Sequence, residues 1–126
     1  MWRFWISLLG IMSLQACAQN SPGQNLDASQ AQEIIDGKEV LVLDVRTPAE
    51  FGSGHLPEAR NLDYYRSDFK DKLSELDSSK TYLVYCRSGA RSAKSVNMLQ
   101  QMGFKEVYNL SGGILAWQRA GMKTVQ

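Results

Sequence analysis

The chain has 126 residues, 44% of them hydrophobic and 21% charged, the proportions of a globular domain rather than of a disordered, collagenous or membrane-bundle protein. Its 14 basic residues face 13 acidic ones. Setting aside Arg3, which lies in an apolar leader, brings the formal charge to zero, so nucleic acid is not expected as a partner: a neutral domain lacks the broad positive field that a phosphate backbone requires.

Residues 1–17 read as a targeting segment. Arg3 supplies a positive start, and Phe4 to Leu14 is apolar apart from Ser7, Gly10 and Ser13. That stretch is about half of the roughly 20 residues a spanning helix needs, which fits a signal-peptide core. Leu14-Gln15-Ala16-Cys17 resembles the lipobox of bacterial lipoproteins, whose cysteine becomes the lipidated first residue. Ala16-Cys17-Ala18 also resembles an ordinary cleavage site, with cutting after Ala18. Both readings place the protein in the periplasm, the first with a lipid anchor at Cys17 in the outer membrane. Either way Cys17 is acylated or removed, and Cys86 is left without a disulfide partner in an oxidising compartment.

Residues 18–25, with Ser21-Pro22-Gly23 at their centre, read as a flexible linker, and the domain as residues 26–126. Asp27 and Gln30 form a helix N-cap pair, Ala31, Ile34 and Ile35 give that helix an apolar face, and Gly37 ends it. Val40 to Leu43 is a continuous apolar run, the mark of a strand buried on both faces. Glu50 to Asn61 reads as loop. Tyr64 to Leu76 has helical spacing through Phe69 and Leu73. Tyr82 to Tyr85 is a second buried strand that runs directly into Cys86. A helix is predicted over Ser92 to Met102 and closed by Gly103, a third strand over Glu106 to Tyr108, and a last helix from Gly112-Gly113 through Trp117 to Gly121. Alternating strands and helices predict a single-domain open α/β sheet, mostly parallel, with helices on both faces.

In such a sheet, ligands bind where strand carboxyl ends meet helix N-termini. Cys86 sits at that point, followed by Arg87-Ser88-Gly89-Ala90-Arg91-Ser92. The small residues Ser88, Gly89 and Ala90 let the backbone curl and aim its N–H groups at one centre, an anion cradle. The helix end and the charges of Arg87 and Arg91 favour thiolate over thiol.

This loop resembles the active-site loop of the rhodanese (thiosulfate sulfurtransferase) family. So do Leu43-Asp44-Val45-Arg46, Glu50-Phe51, Gly54 to Asn61, Gly103-Phe104, and Leu110 to Gly113 followed by Trp117. Leu56 and Glu58 stand where that family often has Ile and Gly. The resemblance implies a sulfur relay, and since no metal-ligand cluster, nucleotide-binding loop or flavin motif appears in the sequence, no cofactor or metal is expected. Cys86 takes the outer sulfur of a donor such as thiosulfate, and a thiophilic acceptor, cyanide in an assay, removes it from the persulfide. It also implies that Arg87 and Arg91, Arg91 above all, hold the donor's sulfonate, and that the amides from Ser88 to Ser92 hold the bound sulfur. Asp44, Arg46, Glu50 and His55 are implied as scaffold, with Asn61 pinning the loop beside the site.

Two alternatives share the fold. A rhodanese-fold phosphatase carries one residue more between Cys and Arg, whereas here four separate Cys86 from Arg91. A non-catalytic sulfur-carrier or binding module typically lacks the cysteine. A dithiol oxidoreductase is disfavoured because the domain has no second thiol.

Overall fold

The structure is a computed structural model that describes residues 23–126; Cys17 and the leader lie outside the described residues. Five strands form one sheet: β1 (Asn25–Leu26), β2 (Leu41–Asp44), β3 (Arg60–Asn61), β4 (Thr81–Tyr85) and β5 (Glu106–Leu110). Their order is β1-β5-β4-β2-β3, and every pairing is parallel. Between them run α1 (Ala28–Gly37), α2 (Pro48–Gly52), α3 (Phe69–Ser74), α4 (Ala90–Gln101) and α5 (Gly113–Arg119).

The central strands are apolar at consecutive positions because both of their faces are covered. Leu83 and Tyr85 of β4, with Tyr108 and Leu110 of β5, pack on Ala31 of α1 and on Ile114 and Trp117 of α5. The alternate residues, Tyr82, Val84 and Val107, point the other way and pack on Leu73 of α3 and on Val96 and Leu99 of α4. Cys86 continues this second set. Its side chain is thereby aimed toward α4, not α5.

The expected open α/β sheet is therefore present, and its parallel character is complete. Four local expectations are corrected. Residues 50–61 are not all loop: Thr47 caps α2 through a capping box with Glu50, and Pro48 opens the helix. Arg60–Asn61 adds an edge strand beside Leu43–Asp44. The helix expected from Tyr64 shortens to α3, because the Asp63 side chain takes the Tyr65 N–H at 2.9 Å and sets a turn there. The end of the supposed linker is tied down, since Asn25 pairs with Asn109 of β5 and the Gly23 N–H donates to the Val107 carbonyl.

Candidate active site

The chain leaves β4 at Tyr85 and turns at once, so Cys86 stands at the mouth of the sheet with 1% of its surface exposed. Gly89 takes φ = +109°, a left-handed conformation that a side chain would strain, and serves as the N-cap of α4. The resulting curl carries the Gly89 N–H to 3.1 Å from the Cys86 sulfur. The Ser92 hydroxyl approaches the same sulfur at 3.4 Å from the first turn of α4.

What keeps the loop curled is its reverse side. The carbonyls of Cys86 and Arg87 accept the N–H groups of Ile114 (2.9 Å) and Leu115 (3.2 Å). With those carbonyls drawn toward α5, the following amides turn inward. This contact demands glycine at the start of α5. Gly113 has φ = +61°, and a Cβ there would overlap the Arg87 carbonyl. The Gly112-Gly113 pair is thus a seat for the Cys86 loop as well as a helix start.

Electrostatics follow from this geometry. Burial pushes the Cys86 thiol up, but the Ser92 hydroxyl and the amides of Ser92, Gly89 and Ser88 outweigh it and leave the group below its ordinary value of 9.0. The nearest stabilising partners are neutral donors, the loop amides and the Ser92 hydroxyl.

Arg91, expected to meet an incoming anion, has its fork occupied. It donates to both carboxylate oxygens of Glu50, at 2.9 and 3.0 Å, and lies over the Tyr65 ring at 5.4 Å. That fork, ahead of the burial that opposes it, draws the Glu50 carboxyl down to about 2. Arg87 is exposed and enters no ion pair among the described residues. It lines a cleft of about 200 Å³ beside the loop, together with Leu115, Gln118, Ser53 and Glu50. A larger cavity of about 390 Å³, at Leu41, Tyr82 and Lys80, opens at the opposite ends of β2 and β4, away from Cys86.

The residues expected as scaffold lie in a network of hydrogen bonds, ion pairs and ring contacts around the loop. Arg46 and Asp44 form a buried ion pair at 2.7 Å, and Arg46 also donates to the Gly54 carbonyl at 2.7 Å. Tyr85 accepts the Leu56 N–H through its hydroxyl at 3.1 Å. Burial and the neighbouring Asp44 raise that phenol above its ordinary range. Asn61 donates to the carbonyls of Asp44 and Arg46. The His55 ring stacks on Phe51 at 3.8 Å, and its Nδ1 meets the Phe51 carbonyl at 3.0 Å. Its backbone bridges to Val125.

One member of the site escapes sequence reasoning. Asn109 is 5% exposed on β5 and reaches the Gly89 carbonyl with Nδ2 at 3.4 Å. The signal was a polar residue inside an apolar strand.

The domain is thus an open parallel α/β sheet that holds a buried cysteine sulfur in a loop whose amide and hydroxyl donors converge on it. A match to the rhodanese-like domain family covers residues 27–120. The chain is 40% identical to a sulfurtransferase of Allochromatium vinosum, over 77% of this chain and 89% of that protein. It is 25% identical to the thiosulfate sulfurtransferase GlpE of Pseudoalteromonas translucida, over 82% and 96%. Among solved structures, a rhodanese-related protein of Thermoplasma volcanium superposes with a TM-score of 0.72 at 32% identity, over 81% of this chain and 97% of that one. Some other relatives are longer proteins, of which the chain spans 35% or less. The chain belongs to the rhodanese-like domain family, and sulfur transfer is supported at the level of that family.

Proposed function

We propose that the protein moves a sulfane sulfur from an anionic donor such as thiosulfate to a thiophilic acceptor by way of a Cys86 persulfide. The observation that carries this reading is the cradle itself: neutral donors from the loop and Ser92 converge on one buried sulfur. In the first half-reaction the Cys86 thiolate attacks the outer sulfur of thiosulfate. A new S–S bond forms, the original S–S bond breaks, and sulfite leaves with the electron pair. The terminal sulfur of the persulfide is itself anionic, and amide N–H groups stabilise it as they did the thiolate. In the second half-reaction cyanide attacks that terminal sulfur, thiocyanate departs, and the thiolate returns.

Arg87, rather than Arg91, is the cation we assign to the donor's sulfonate, since it lines the cleft beside the loop and enters no ion pair among the described residues. A phosphatase would direct an arginine fork at phosphate, whereas the Arg91 fork holds Glu50. The lipobox-like Leu14 to Cys17 supports export, and we place the lipid anchor at Cys17.

Intact-mass measurement after incubation with thiosulfate tests the reading. The expected product is a gain of one sulfur that is absent from Cys86→Ser. A parent protein that gains no sulfur, or Cys86-dependent turnover of an aryl phosphate, would overturn it. The same spectrum reads lipidation at the N-terminus.

A further inference from the structure

Asn109 carries a contradiction that needs a physical reason. Its Nδ2 donates to the Asn25 side-chain oxygen at 2.8 Å and to the Gly89 carbonyl at 3.4 Å. Its Oδ1 is buried and receives no hydrogen bond from the described residues. Flipping the amide gives no relief, because the Gly89 carbonyl is an acceptor and requires a donor opposite it. A buried acceptor without a donor destabilises a fold, and an apolar side chain in that place would not carry the defect. Such an orphan calls for an explanation.

The Gly89 carbonyl supplies one. A carbonyl oxygen has two lone pairs, and three donors surround this one. They are the Ala93 N–H at 3.1 Å along α4, Asn109 Nδ2 at 3.4 Å and the Ser92 hydroxyl at 3.1 Å. The Ser92 hydroxyl has a single hydrogen and a second acceptor in reach, the Cys86 sulfur at 3.4 Å. Without Asn109, the carbonyl's second lone pair would claim the hydroxyl hydrogen, because an oxygen at 3.1 Å is the better acceptor.

We propose that Asn109 is a positioning residue that fills the second lone pair of the Gly89 carbonyl and so leaves the Ser92 hydroxyl hydrogen for the sulfur of Cys86. The relay begins at the sheet edge: Asn25 on β1 takes the other Nδ2 hydrogen and fixes the amide plane. A residue 61 positions upstream of Cys86 in the chain thereby helps to orient the hydroxyl that meets the sulfur. The inference rests on Cys86 as the nucleophile but not on any particular sulfur donor.

The test is a pH titration of Cys86 by ultraviolet thiolate absorbance on the full chain, with Cys86→Ser as the blank that subtracts Cys17. Thermal unfolding is measured on the same samples. Asn109→Leu removes the donor and the orphan together. The expected result is an upward shift in Cys86 ionisation of about one pH unit, the size of one hydrogen bond to an ionised acceptor, with a melting temperature no lower than the parent's. In a Ser92→Ala background the same change is expected to shift nothing further. An unmoved ionisation in Asn109→Leu, or an equal shift with and without Ser92, would overturn the proposal. Should Asn109→Leu not fold, Asn25→Ala at an exposed position decides the question: a smaller upward shift supports the relay, and none removes it. A parent protein whose Cys86 titrates as an ordinary thiol would instead count against the proposed function.

Discussion

The loop after β2 and the loop after β4 leave neighbouring strands at the same edge of the sheet, and they manage charge by opposite means. The first buries a full anion and a full cation together, Asp44 against Arg46 at 2.7 Å; the Arg46 guanidinium also ties down the Gly54 carbonyl, and the backbone carbonyls of the pair accept from Asn61. The second holds a single buried sulfur, its thiol drawn below the ordinary value, whose nearest partners are an amide and a hydroxyl. A buried ion pair is complete and therefore inert. An anion met first by dipoles is stabilised without being neutralised, and it keeps a lone pair for attack. The arginine that sequence spacing puts beside the cysteine belongs, in its geometry, to the first kind of arrangement, because Glu50 has claimed it.

The largest expected effect separates the two loops outright. Cys86→Ser is expected to abolish thiocyanate formation from thiosulfate and cyanide while leaving the melting temperature close to the parent's. Asp44→Ala strands Arg46 in the interior and is expected to cost about 3–5 kcal/mol of stability by denaturant titration. Near-parental stability in that variant would deny the brace its role.

Gly113→Ala sharpens the contrast by attacking the seat of the sulfur loop. The left-handed backbone alone costs roughly 1–2 kcal/mol, and the new Cβ displaces the Arg87 carbonyl. Activity is expected to fall by more than the stability loss explains, because the amides lose their aim; unchanged kcat/KM would show that the seat is dispensable.

Glu50→Gln gives the smallest effect, and it depends on pH. The Glu50 carboxyl is lowered from an ordinary 4.5 to about 2 in the folded state. Its contribution is therefore fully present above about pH 5 and lost as pH falls from there toward 2. The pair is partly exposed, so the expected loss at neutral pH is about 1 kcal/mol, shrinking to nothing in acid. A constant difference between parent and variant across that range would contradict the assignment.

Much of this contrast was legible in the sequence. The apolar runs Val40–Leu43 and Tyr82–Tyr85 announced strands buried on both faces, and the small residues at Ser88, Gly89 and Ala90 announced a tight curl after Cys86. The capping box of Thr47 and Glu50, with Pro48 between them, was also present as a helix signal and was obscured by the glycines that follow. The two-residue strands at Asn25 and Arg60 are too short for any periodicity to reveal. What could not be read was partnership across distance. Glu50 meets Arg91 over 41 residues, and Asn109 meets Gly89 over 20. Local spacing constrains neither pair, so Arg91 read as a free cation and Asn109 did not register at all.

The most direct test of the central claim is the ionisation of Cys86 in the unaltered protein, followed through the pH dependence of its alkylation by a small neutral reagent. The expected inflection lies below the ordinary thiol value of 9.0, with rapid modification persisting at neutral pH. An inflection at or above that value would mean that burial outweighs the converging hydrogen-bond donors, and Cys86 would not be a thiolate nucleophile.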